Sequence, residues 1–190
     1  MKQRALFALG VLLIVVAWSL PHHSFAAHMT MHMTVVAIAA PFLALGLAGT
    51  RFDPVLLAPR FFAPIPASLV ELVVVWAWHT PMLHHAAHHH TAVFVLEQAT
   101  FLISGLFVWL SALGGTATRA RLGAGVIALL LTSMHMTLLG ALLALPPRPI
   151  FFGSLDDQHL GGAIMLLIGG ASYLIGGIYA ASRMLRRSVA

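Results

Sequence analysis

The chain contains no cysteine, which excludes a disulfide framework and any thiolate metal site. A soft metal would have to be held by methionine and histidine instead. Charge is scarce as well: 8% of the 190 residues are Asp, Glu, Lys or Arg, and only five are acidic. So few charges do not suit a soluble domain of this length. There is no nucleophile paired with a base and no glycine-rich loop of the phosphate-cradling kind, so no catalytic turnover is expected.

Apolar residues make up 60% of the chain, with a mean hydropathy of +0.95. Lipid is therefore the expected solvent, and helices that satisfy their own backbone groups are the expected elements. Apolar runs of about 20 residues, the length that crosses a bilayer, occupy Ala5–Leu20, Met29–Gly49, Ile65–Leu83, Thr91–Leu113, Leu122–Leu145 and Leu160–Ser182. The links between them are short and rich in proline or glycine. These features predict one all-α integral membrane bundle of about six transmembrane helices over residues 1–190. Lys2 and Arg4 before the first run, with Ser24-Phe25-Ala26 after it, also resemble a secretory signal, but the apolar run slightly exceeds the usual signal core and favours a retained helix.

A net charge of +5 and a pI near 11.2 would in a soluble protein raise nucleic-acid binding. Here the basic residues flank the apolar runs, as orientation signals do. With the N-terminus inside, nine of the ten basic residues fall on the inner side and only Arg148 falls outside. This predicts cytoplasmic termini and a multi-pass protein of the bacterial inner membrane. The same assignment gathers eleven of the twelve histidines at or near the outer side, and puts the twelfth, His135, in the outer half of the fifth span.

The densest chemistry is His28-Met29-Thr30-Met31-His32-Met33. In a helix His28 and His32 share one face, and Met29 and Met33 share another about 100° away. Two imidazoles and two thioethers suit copper, above all Cu(I); the plainer reading is polar and flexible side chains at a membrane interface. The pattern returns at Met134-His135-Met136 within the fifth span, where an ionisable ring is expected to face the bundle interior. His135 with Met136 is the candidate pair, and His32 and His135 are expected to converge across the bundle. His79 follows Trp76 and Trp78, read as interface anchors, and is a further candidate ligand. Met82–His90 holds five histidines and reads as an outer metal-collecting loop or as a pH-sensitive one. Glu97 lies about two turns inside the fourth span and needs a partner such as a ligand-bearing histidine. Asp157 and His159 open the last span, where a carboxylate also caps a helix. Glycine pairs at 161–162, 169–170 and 176–177 read as a close-packing face.

The strings His28-Met-Thr-Met-His32-Met, Trp78-His79-Thr-Pro81, Leu96-Glu97, Gly140-Ala-Leu-Leu143 and Asp157-Gln158-His-Leu-Gly161-Gly-Ala-Ile-Met165 resemble the CtaG family of membrane-integral cytochrome c oxidase assembly factors. The resemblance runs from about Ala26 to Met165. It departs from the family pattern at Gln98, where members often carry histidine, and at Leu166, where tryptophan is usual. It implies a factor that matures a haem-copper oxidase through its copper centres, with oxidase subunits and a periplasmic copper chaperone as partners. The copper ligands would come from His28, Met29, His32, Met33, His79, His135 and Met136, supported by Glu97, Asp157 and His159. Two rival readings are a b-type haem held by His32 and His135, and a metal or proton transporter using Glu71, Glu97 and His135. Glu71, read as lying in the inner half of the third span, is the residue an outward-facing copper site least requires.

Overall fold

A computed structural model of the chain describes residues 1–21, 23–151 and 153–186; His22, Arg187 and Val189 lie outside them. Among the described residues the regular elements are all helical. They are α1 (Lys2–Ser19), α2 (Phe25–Leu47), the short α3 (Pro54–Leu57), α4 (Pro64–Trp78), α5 (Pro81–His89), α6 (Thr91–Leu113), α7 (Arg119–Ala144) and α8 (Leu155–Arg186). Five of these, α1, α2, α6, α7 and α8, are long and apolar enough to cross a membrane. Ser24, Thr118 and Ser154 start α2, α7 and α8 by accepting hydrogen bonds from the N–H groups of Ala27, Arg121 and Asp157.

The third span differs from expectation. It stops at Trp78, and its 15 residues reach only about 22 Å, short of a bilayer core of about 30 Å. Pro81 is the cause: it pushes Thr80 into an extended conformation, with φ −72° and ψ 140°. The same proline then opens α5 at its first turn, where a missing N–H is harmless. The segment expected as a loop is therefore a helix. Trp78, expected as an interface anchor, is 9% exposed and donates its indole N–H to Thr100 on α6 at 2.9 Å.

The bundle is organised around α2, which packs on α1, α6 and α8. Within it, Thr34–Ala39 is wound as a π-helix, and Met165–Gly169 of α8 does the same. Such turns loosen the ordinary hydrogen-bond ladder and make carbonyls available to other groups. The Val36 carbonyl accepts the Trp109 indole at 3.2 Å and the Tyr173 hydroxyl at 3.4 Å, and the Ala37 carbonyl accepts Ser172. Glycine allows α8 its approach: a Cβ on Gly162 would lie 2.4 Å from the Ala144 backbone nitrogen, and one on Gly161 would lie 2.5 Å from the Phe25 ring.

The end of the bundle away from the histidines is tied by two buried or half-buried ions. Asp53 accepts the N–H groups of Gly49 and Gly115 at 2.8 Å each and that of Val55 at 2.9 Å. Arg121 donates to the carbonyls of Gly114, Phe62 and Ser111. Its charge therefore locks a link between α6 and α7 as well as marking an orientation.

Candidate metal centre at the histidine end of the bundle

α2 enters the bundle with His28 and His32 on one face, one helical turn apart. Above them lies α5, whose His84 and Ala87 point inward while His85, His88 and His89 stay exposed. From α6, Glu97 reaches the same place. Ligand atoms of His28, His84 and Glu97 all lie within 4.8 Å of one another. His28 Nε2 is 3.3 Å from the Glu97 carboxylate, and the His28 and His84 ring centres are 5.1 Å apart. The three residues are 7%, 4% and 1% exposed. A cavity of 180 Å³ beside them, lined by His23, Phe25, His28, His84, His88 and Phe94, gives access from the bundle end.

Burial pushes the His84 imidazole down to about 3, and the neighbouring His28, His79, His88 and His85 act in the same direction. The ring is therefore neutral near pH 7 and presents a lone pair, as a metal ligand must. Phe25 and Phe151 pack edge-on against it, at ring-centre distances of 5.4 and 4.7 Å. Two imidazoles and one carboxylate in a partly closed pocket form a donor set that suits copper or zinc.

One turn deeper, His32 is fully buried, stacked flat on Phe101 at 3.7 Å and 5.3 Å from the His79 ring centre. His79 Nδ1 is 2.6 Å from the Val75 carbonyl. A carbonyl only accepts, so Nδ1 carries the proton and Nε2 carries the lone pair. That Nε2, and both ring nitrogens of His32, are buried without a hydrogen-bond partner in the protein. Orphaned buried groups cost about 1 to 3 kcal/mol each, so this pair is poorly suited to a merely structural role.

The remaining candidates are placed elsewhere. His32 meets His79, while His135 forms part of a groove with Ser68, Leu69 and Leu72 of α4. Met29, Met33, Met136 and Met165 are fully buried on the α7 and α8 side of the bundle; Met33 Sδ and the Met136 Cβ lie 3.3 and 3.2 Å from where a Cβ on Gly169 would stand. Asp157 accepts the N–H groups of Phe25 and Ala26 at 2.7 and 3.2 Å, so it caps α2 rather than its own helix. His159 Nε2 donates to the Pro146 carbonyl at 2.9 Å. Between these two, Gln158 receives the N–H groups of Ile150 and Phe151 and donates to the Leu143 carbonyl.

The family model described as cytochrome c oxidase caa3 assembly factor (Caa3_CtaG) matches residues 1–187. The chain belongs to this family. It is a cytochrome c oxidase assembly factor with several membrane-spanning helices. No curated protein and no solved structure matches the chain. In this assembly factor the Asp157-to-Met165 string acts as a clamp: Asp157 caps α2, Gln158 and His159 hold the link before α8, and Gly161 and Gly162 admit α2 and α7. His84 was hidden in the sequence by its histidine neighbours. The signal that singles it out is Pro81, which starts a helix and sets His84 and Ala87 on one face at i and i+3.

Proposed function

We propose that the chain binds copper at the non-cytoplasmic end of its bundle, through His28, His84 and Glu97, and hands it to a copper centre of cytochrome c oxidase. The observation that carries this reading is the convergence of three ligands, two imidazoles and a carboxylate, from three helices within 4.8 Å beside an open cavity. Imidazole serves both copper oxidation states, and Glu97 offsets the charge of the ion. The exposed His85, His88 and His89 of α5 collect ions at the mouth. Orientation follows the nine-to-one sorting of basic residues, which puts this end in the periplasm of a bacterial inner membrane. A periplasmic copper chaperone serves as donor, an oxidase subunit as acceptor, and exchange of imidazole ligands carries the transfer without catalytic turnover.

The test is metal affinity of the detergent-purified protein. His28→Ala, His84→Ala and Glu97→Gln should each weaken binding by 10-fold or more, on the order expected for loss of one of few ligands, whereas His135→Ala should not. Unchanged affinity and unchanged stoichiometry in the triple variant would remove the copper reading of this cluster.

Glu71 favours a second reading, ion or proton transport. Its carboxyl is fully buried at mid-depth, accepts the Tyr173 hydroxyl, and leaves Oε2 without a partner. Copper uptake into proteoliposomes that is lost in Glu71→Gln would support it.

A further inference from the structure

We propose that His32 and His79 form a second, inner station that takes copper as Cu(I) and refuses divalent ions. This goes beyond the outer cluster and rests on it only for the order in which an ion meets the two.

Geometry comes first. A metal–imidazole bond of about 2 Å places the metal about 3.2 Å from the ring centre. Two rings on one ion then stand about 6.4 Å apart when the nitrogens are opposed and about 5.5 Å apart at trigonal angles. The observed 5.3 Å between His32 and His79 lies close to the trigonal value. His79 is already held in the tautomer that presents Nε2, because the Val75 carbonyl occupies Nδ1. His32 is immobilised by its stack on Phe101 and offers two nitrogens with no partner in the protein.

Charge decides the ion. Glu97 pairs with His28 in the outer cluster at 3.3 Å and acts on His79 only through space, so the inner pair brings two rings and no carboxylate of its own. The cost of moving an ion into a low-dielectric site grows with the square of its charge. A divalent ion therefore meets about four times the desolvation penalty of Cu(I), with no carboxylate in the ring pair itself to offset it, while imidazole binds Cu(I) well. His28 lies one turn above His32, about 6 Å along the axis, with its ring centre 5.1 Å from that of His84, while the His32 ring centre is 5.3 Å from that of His79. An ion can thus pass inward by exchanging ligands around the His28 ring. No electron moves in this step, and a cupric ion stays at the outer cluster.

The experiment uses the full chain, purified in detergent without a histidine tag and with His85, His88, His89 and His90 changed to Gln. Cu(I) is titrated against a chromophoric Cu(I) chelator, and Zn(II) serves as the divalent probe. The expected stoichiometry is two Cu(I) but one Zn(II) per chain. His32→Leu and His79→Leu should each lower Cu(I) to one and leave Zn(II) at one. His84→Ala should abolish Zn(II) binding and spare one Cu(I), whose X-ray absorption should show nitrogen neighbours at about 2 Å. Equal Cu(I) and Zn(II) counts per chain before any station residue is changed would overturn the inner station. A sulfur shell in the His84→Ala protein would overturn it too, moving the ion to the buried methionines. Those results need no inner-station variant to fold. Loss of Zn(II) binding before any station residue is changed, with one Cu(I) still sensitive to His32, would instead overturn the outer cluster and keep the inner one.

Discussion

Replacing Asp157 by alanine and by asparagine separates a helix cap from a metal ligand. In the structure its two oxygens receive the N–H groups of Phe25 and Ala26, the first of α2, at 2.7 and 3.2 Å. Hydrogen bonds to a charged group contribute about 1.5 to 3 kcal/mol each, and a carboxylate at a helix N-terminus adds up to about 1 kcal/mol. The contacts are half-buried, so the low end of each range applies. Asp157→Ala should then destabilise the protein by about 2 to 4 kcal/mol, and Asp157→Asn, which keeps an acceptor, by about 1 kcal/mol. Because the first turns of α2 carry His28, the alanine variant should also weaken copper affinity several-fold without changing stoichiometry. Denaturant unfolding in mixed micelles followed by tryptophan fluorescence, beside chelator competition, measures both. An Asp157→Ala protein as stable as the wild type would refute the cap. An Asp157→Asn protein of normal stability that lost a bound ion would make Asp157 a ligand.

Gly162→Ala should destabilise by about 1 to 3 kcal/mol or prevent folding, since the new Cβ would sit 2.4 Å from the Ala144 backbone nitrogen; Gly123→Ala, whose Cβ would meet only Met184 Sδ at 3.8 Å, should stabilise by roughly 0.5 to 1 kcal/mol. Melting temperatures in one detergent distinguish the two. Docking of α5 should not change with pH above 6.5, the ordinary histidine value, and should weaken as pH falls from there toward about 3, because the undocked His84 takes a proton that the docked ring refuses. Hydrogen exchange across Pro81–His89 follows this, and docking that strengthened on acidification would contradict it. A topology reporter inserted at His88 should lie outside the cytoplasm and one at Thr116 inside it; the reverse would put the metal centre on the cytoplasmic side.

Five of the six expected spans and their order were legible from the pattern of apolar runs, because lipid allows a 20-residue apolar segment hardly any structure except a helix. Glu97 and the His28–His32 face were legible too, since one turn of helix is a local property. Which of these residues share an ion was not. His28 and Glu97 are 69 positions apart in the chain, and their 3.3 Å approach depends on how α2 and α6 pack. The π-turns at Thr34–Ala39 and Met165–Gly169 shift the register on which any regular helical wheel relies. His84 depended on Pro81 ending one helix and starting another, which turned an expected loop into a helix with a buried face. Met29 and Met33 share a helix face in any reading, yet it is the glycine-lined approach of α8 that draws them to its own side, away from the imidazoles. Sequence therefore dictated which donor atoms reach this end of the bundle, through rules that act within one helix; the close packing between helices decided which of them meet.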